Sequence, residues 1–458
     1  MQVSERKIHQ LGILLVCAVA CLYYLPVLFT RGMFFDGLTY ATISRNLAMG
    51  KGSWWCPFYT ETLAPQFYGH PPLVFWIQSQ FFRLLGDHYY TEKIYSTITF
   101  VLSAWLITRI WKLFYKEAAW LPVLLWLTFQ VVKWCYANNF QENTMTIFCL
   151  LAAWCYLYAL VVNRHFLFLS FAAGAMVLGA TLCKGPVGLY PLAIPFIWFV
   201  VNGKSSLWPA AKAIGFSVLF LLLGYAALWQ LPEAREALLK FLEIQLVPSL
   251  NGRFATGGSR LYILGQLLIQ LLPVIGLLLI TVYLRRNKDR QTPLHVLLFL
   301  LIALSAALPI MVSTKQMAIY LLPAMSFFAL AAAAFIAPSL SELQRLPARV
   351  FTAAFVICYI GIATGFVAGL LRIGVPSRDY KIINALQELD ADLPKSTIVK
   401  VSPELWENWA LQAYLYRFYF ISVNVDNANA YYLGPKESAP AGFIPVNTKG
   451  EWCLYKRP

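Results

Sequence analysis

Charge is what this 458-residue chain has least of: Asp, Glu, Lys and Arg together make up only 12% of it. A soluble globular domain carries about 25%, so a water-soluble protein of this size is excluded for want of polar surface. Acids are scarcer than bases, 21 against 36, and there are only five histidines. The nine cysteines include no CxxC pair, which removes zinc-ribbon and thioredoxin-like readings. No internal repeat and no low-complexity linker is visible.

What is present is apolar: 59% of residues are hydrophobic, and the mean hydropathy is +0.62. These residues come in blocks of the length a bilayer requires of helices that satisfy their own backbone groups. The blocks predict about eleven transmembrane helices, over residues 11–29, 94–115, 118–134, 142–162, 166–182, 186–201, 212–229, 261–284, 293–312, 317–337 and 350–371. The first block follows Arg6 and Lys7 and contains Ala18-Val19-Ala20, as a cleaved signal peptide would. Its apolar run continues to Phe29 and many spans follow, so it reads as an uncleaved anchor.

Basic residues fix the expected orientation. With the N-terminus inside, the inner loops hold Arg109, Lys112 and Lys116, then Arg164, then Lys204, then the basic run 285–290, and finally Arg345 and Arg349. That is the positive-inside pattern, and it accounts for most of the net charge of +15 with His neutral. The bases are dispersed and no recognition motif accompanies them, which argues against nucleic-acid binding. Eleven crossings place the C-terminal tail outside, in a bacterial cell the periplasmic side of the inner membrane. Six cysteines (Cys17, Cys21, Cys149, Cys155, Cys183, Cys358) fall inside spans and read as small apolar residues. Cys56 and Cys453 would both face outside, and a disulfide between them is a minor alternative.

Two regions lie outside the membrane. The loop 30–93 carries a helix over 37–49 and another from Pro71-Pro72 to about 85, both too short to span and aromatic-rich, as helices lying in the interface plane are. The tail from Gly374 alternates a helix (379–389), a strand (397–401), a helix (405–417) and strands near 420–425, 430–433 and 452–455. The chain therefore divides into a transmembrane domain, 1–373, and a small extracytoplasmic α/β domain, 374–458.

Polar residues collect on the outer face: Asp36 after the first span, His70 before Pro71-Pro72, Glu142 at the outer end of the fourth, Lys184 between the fifth and sixth, Arg253 and Arg260 before the eighth, and Lys315 between the ninth and tenth. Positive charge there runs against the positive-inside bias. A phosphate held at the outer leaflet would explain it, and a neighbouring carboxylate can take a proton from an incoming hydroxyl. Each residue also has a plainer role. Asp36 can cap the following helix, and Glu142 can sit in a first turn because the helix dipole favours it. Lys184 and Lys315 can be loop lysines touching headgroups, and His70 a turn residue. The shared membrane face favours the chemical reading over these.

The chain resembles the GT-C-type membrane glycosyltransferases, in particular the bacterial branch related to protein O-mannosyltransferases and to the lipid A aminoarabinose transferase. The resemblance is carried in order along the membrane part. It runs through Asp36-Gly37-Leu38-Thr39-Tyr40, then Gly69-His70-Pro71-Pro72-Leu73, then Glu142-Asn143-Thr144, Lys184-Gly185-Pro186 and Lys315…Tyr320-Leu321-Leu322-Pro323. It implies an inverting transfer of a sugar from a polyprenyl-phosphate donor, such as undecaprenyl phosphate, to an acceptor that is a glycolipid such as lipid A, a glycan or a protein. It implies Asp36 as the catalytic base and Glu142 as the second acid. It makes His70, Lys184, Arg253 and Lys315, with Tyr40 and Tyr320 as hydrogen-bonding partners, the grip on the donor phosphate. The chain departs from relatives at Gly37, where many have an acid, at Thr39, where aminoarabinose transferases have Arg, and at His70, where they have Lys. The aminoarabinose specificity is therefore not carried over.

Other classes stay open. A transferase of polysaccharide or of a whole lipid-linked glycan has the same outline. A transporter or lipid flippase would instead place ionisable groups near the bilayer midplane, often in two repeated halves. A scaffold would not need two acids. No cofactor is assigned. Asp36, His70 and Glu142 could together hold a divalent ion, but their spacing is long, and no metal is predicted.

Overall fold

The computed structural model describes residues 4–203, 206–253, 259–285, 293–426, 429–436, 440–448 and 450–458. Lys204 and most of the basic run 285–290 therefore lie outside the described residues. The membrane part starts with α1 (Glu5–Leu28), followed by two short helices, α2 (Phe35–Ala48) and α3 (Leu73–Leu85). The bundle continues with α4 (Thr91–Trp111), α5 (Trp120–Leu127), α6 (Gln130–Ala137), α7 (Gln141–Val161), α8 (Phe166–Lys184), a 3-10 stretch (Pro186–Ala193) and α9 (Ile194–Asn202). Then come α10 (Leu207–Trp229), α11 (Pro232–Phe241), α12 (Val247–Leu250), α13 (Tyr262–Arg285), α14 (Leu294–Ala307), α15 (Leu322–Ile336) and α16 (Ala348–Leu370).

Among the described residues, nine helices are long and apolar enough to cross a membrane. Two of the eleven expected spans are not continuous. The block 118–134 breaks into α5 and α6 at Thr128-Phe129, where Phe129 takes an extended conformation (φ −75°, ψ 124°). The block 186–201 begins as a 3-10 stretch because Pro191, inside it, has no N–H to give the helical ladder.

The bundle is layered around α15, thirteen of whose fifteen residues are buried. Its run of alanines lets neighbouring backbones come close, which is how helices associate where lipid removes the hydrophobic drive. α15 packs on α14, α5, α7 and α13. α10 lies at the periphery, with three buried residues among 23, and presents Leu219, Leu222 and Leu223 outward as a lipid-facing helix does.

Beyond α16 the chain forms a soluble unit: α17 (Tyr380–Leu389), β1 (Ile398–Val401), α18 (Pro403–Trp406), α19 (Trp409–Tyr414), β2 (Ser422–Asn424), β3 (Tyr431–Pro435), β4 (Ile444–Asn447) and β5 (Trp452–Lys456). The sheet has the order β2-β1-β3-β5-β4, with β1 parallel to both of its neighbours and the other pairings antiparallel. The expected helix 405–417 is divided between α18, α19 and a π-turn (Leu415–Tyr419). β4 was not expected. It is an edge strand carrying Pro445 and a bulge, and lacks the alternating apolar pattern of a half-buried strand. All nine cysteines are thiols, so the Cys56–Cys453 pairing is not formed. Cys453 is buried in β5, and the Tyr68 hydroxyl points at Cys56 Sγ from 3.4 Å.

The soluble unit sits directly on α2. Met33 and Leu38 belong to the same apolar cluster as Leu386, Leu411 and Leu415. α2 is covered by the soluble unit: ten of its fourteen residues are buried. α3 keeps an outer face, with Trp76, Leu84 and Leu85 exposed. Arg417, buried, donates to Asp87 Oδ1 (2.6 Å), Glu92 Oε2 (3.0 Å) and the His88 carbonyl (3.1 Å). Arg45 of α2 donates to the Arg417 carbonyl at 2.6 Å and stacks over Phe420 at 4.0 Å. The loop after α2 joins the sheet edge through Thr62 Oγ1, which donates to the Val423 carbonyl at 2.7 Å.

Candidate active site beneath the soluble unit

α7 and α8 form an antiparallel hairpin with a connection of only four residues, so the start of one lies beside the end of the other. Glu142 is the second residue of α7 and Lys184 the last of α8. Each charge suits the helix end it occupies. The hairpin brings them together: Lys184 Nζ lies 2.9 Å from Glu142 Oε1, with both side chains buried. Gly185, at φ +88°, lets the chain turn immediately after Lys184 into the proline-led 3-10 stretch.

Asp36 is not a cap. Phe34 occupies that place, and Asp36 lies in the first turn of α2, half-buried. Burial raises its carboxyl above the ordinary value; Lys184 opposes that, Glu142 adds to it, and Lys315 opposes it again. Four residues on, the Tyr40 hydroxyl meets His70 Nε2 at 3.1 Å, and burial drives the phenol well above its usual value. His70 sits in the turn before α3, its ring edge-on to Tyr40. Burial, with Lys184 and Lys315 nearby, holds it well below its ordinary value, so it is neutral near pH 7. As a neutral ring it can serve a phosphate through hydrogen bonds.

Lys315 lies in a loop held against the end of α12, where Thr314 N and Ser313 Oγ both bond the Ser249 carbonyl (3.2 and 3.0 Å). Burial and Lys184 lower its pKa, while Asp36 and Glu142 raise it. The Tyr320 ring lies 5.5 Å from Lys184 Nζ. Arg253 is not brought in. Its N–H closes a turn onto the Pro248 carbonyl, its side chain is exposed, and it is not part of the cavity wall.

His70, Glu142, Lys184, Lys315 and Tyr320 line a cavity of about 840 Å3. The rest of its wall is largely apolar, running along the 3-10 stretch and α9 (Leu189, Leu192, Phe196) and past Leu246, Leu250 and Ile310. A polar end joined to a long apolar wall suits a molecule with an anionic head and a hydrocarbon chain. A second cavity, about 760 Å3, lies at the other end of α1 beside Glu5, Arg6, Lys116 and Glu117 and contains none of these residues. Among the described residues, no three His, Cys, Asp or Glu side chains form a metal-binding group, so Asp36, His70 and Glu142 do not gather as ion ligands. Asn138 and Asn139 were missed from the sequence. Asn138 Oδ1 accepts from Phe34 N (2.8 Å), and Asn139 Nδ2 donates to the Gly37 carbonyl (3.2 Å). An Asn-Asn pair directly before a helix was the available signal.

This architecture is that of the GT-C-type membrane glycosyltransferases. The structure is similar to ArnT from Cupriavidus metallidurans, solved with undecaprenyl phosphate bound, with a TM-score of 0.69 at 14% identity over 97% of each chain. The apo form of that protein gives 0.69 at 15%, again over 97% of each chain. The archaeal oligosaccharyltransferase AglB from Archaeoglobus fulgidus, solved with an inhibitory peptide and a dolichol-phosphate, gives 0.53 at 11%, over 94% of this chain and 69% of that one. In sequence, residues 69–229 match the dolichyl-phosphate-mannose-protein mannosyltransferase family. No curated protein matches at the sequence level.

Proposed function

We propose that the protein transfers a sugar from a polyprenyl-phosphate carrier to a hydroxyl-bearing acceptor, at the outer face of the cytoplasmic membrane and with inversion. The observation that carries this is the polar end of the 840 Å3 cavity, where Glu142, Lys184 and Lys315 meet at the head of a long apolar wall, with Asp36 behind that lining and within electrostatic reach of all three. The undecaprenyl phosphate bound to ArnT and the dolichol-phosphate bound to AglB support a lipid of that class for this cavity. The positive-inside pattern supports the outer face.

In this reaction Asp36 removes the proton from the acceptor hydroxyl as its oxygen bonds to the anomeric carbon. The bond from that carbon to the phosphate oxygen breaks, and its electron pair leaves with the lipid phosphate. The leaving group gains a negative charge, which Lys184 and Lys315 offset. His70 and Tyr40 supply hydrogen bonds without adding charge. Glu142 holds Lys184 at the polar end until the phosphate competes for it.

Replacing Asp36 with Asn keeps the size and the hydrogen-bonding capacity of the side chain but removes the base. General base catalysis contributes about 10²–10⁴-fold, so Asp36→Asn should lose at least that order in turnover, with melting and donor binding retained. Asp36 works as the carboxylate and its pKa is raised, so wild-type turnover should fall as pH drops through a midpoint above the ordinary 3.8. A folded Asp36→Asn protein that transfers at the wild-type rate would overturn the assignment.

A further inference from the structure

The two acids sit on different helices, and nothing in the sequence spacing obliges α2 and α7 to keep their first turns together. Two carboxylates in a partly dehydrated pocket repel each other, and among the described residues Lys184 pairs directly with Glu142 and not with Asp36. Something else has to hold the first turn of α2 in place. The corner 138–140, which runs from α6 into α7, is built for this. Asn139 is in the left-handed region at φ +53°, which Asn tolerates better than most residues. That conformation leaves its side chain, 3% exposed, bonded on both sides. Its Nδ2 donates to the Gly37 carbonyl, next to Asp36, at 3.2 Å. Its Oδ1 accepts from Gln78 Nε2 of α3 at 3.0 Å, and Gln78 Oε1 accepts in turn from Ser44 Oγ of α2 at 3.0 Å.

The backbone of the corner fits just as closely. A Cβ built on Gly37 would stand 2.0 Å from the Asn138 carbonyl oxygen, so only glycine allows this approach. This explains why the chain has no acid at the position after Asp36. Asn138 completes the hold by accepting from Phe34 N, while Tyr414 of the soluble unit accepts from Met33 N at 3.0 Å.

We infer that Asn139 is a positioning residue for the transfer: through its bond to the Gly37 carbonyl it fixes Asp36 relative to Glu142, three residues further along its own chain. The inference rests on the proposed role of Asp36. Misplacing a reacting group by about an ångström costs on the order of a hundredfold in rate, and support of this kind sets that distance.

The test is steady-state transfer from a polyprenyl-phosphate sugar by the purified full chain, comparing wild type, Asn139→Gly and Asn139→Asp. Glycine keeps the left-handed backbone and removes both side-chain bonds. Aspartate keeps the size and the acceptor for Gln78 but cannot donate to Gly37. Both should lower kcat by about ten- to a hundredfold and leave KM for the donor within about twofold. The acid limb of the pH–rate profile should move toward the ordinary carboxylate range in Asn139→Gly, as water reaches Asp36, and further above that range in Asn139→Asp, whose added carboxylate acts on Asp36 as Glu142 does. A residue that only supports the fold would lower the melting temperature and leave kcat and the acid limb unchanged, and that result overturns the inference. If Asn139→Gly does not fold, Asn139→Asp alone decides by the same two readouts. Failure of the underlying reading is seen separately: Asp36→Asn would then transfer sugar normally.

Discussion

At the residue scale, the site depends on which groups carry charge. His70 stands where aminoarabinose transferases have lysine, and its surroundings keep it neutral. The folded-state pKa lies below the unfolded value of 6.5, so below about pH 6.5 the unfolded chain takes up a proton that the folded one refuses. Stability is lost in that direction, by at most about 1.4 kcal/mol per pH unit, until the folded-state pKa is reached. His70→Gln should therefore melt with a flatter acid dependence between pH 7 and 5 than wild type, as differential scanning fluorimetry would show; parallel curves would mean that His70 titrates normally. Asp36, Glu142, Lys184 and Lys315 were legible in the sequence because topology puts them all on one face. Arg253 satisfies the same rule and is not at the cavity, since side of membrane says nothing about position around the bundle. Asn139 was not legible because its role depends on one backbone angle and on Gln78, sixty-one positions away.

At the scale of elements, length and apolarity were enough to find the long helices. The break between α5 and α6 was hidden, because residues 118–134 form one apolar block with no glycine and no proline near Thr128. The burial of α2 was hidden as well, because its cover comes from the far end of the chain. That cover is anchored by Arg417 between Asp87 and Glu92, all at or near the rim of the bundle. Removing one partner of a buried ion pair costs about 3–5 kcal/mol; here buried Glu92 would lose its direct partner, while half-buried Asp87 keeps Arg45 at 3.9 Å. Arg417→Ala should lose stability of that order and become sensitive to proteolysis between residues 374 and 458. A melting temperature and cleavage pattern equal to wild type would show that the apolar contacts of Met33 and Leu38 hold the unit alone.

At the scale of the molecule, the expected orientation puts the loop 30–93 and the soluble unit on the same, outer side. Single cysteines introduced at exposed Glu61 and Glu404, in a background without the native thiols, should both react with an impermeant maleimide on intact cells or spheroplasts. Labelling of either one only after lysis would contradict that orientation. The hydrogen bond between Met33 and Tyr414 spans 381 positions of sequence. The turn that presents Asp36 is among the first parts of the chain to be synthesised, yet one of its supports, Tyr414, is among the last. The part of the support that Tyr414 gives cannot form until nearly the whole polypeptide has been made.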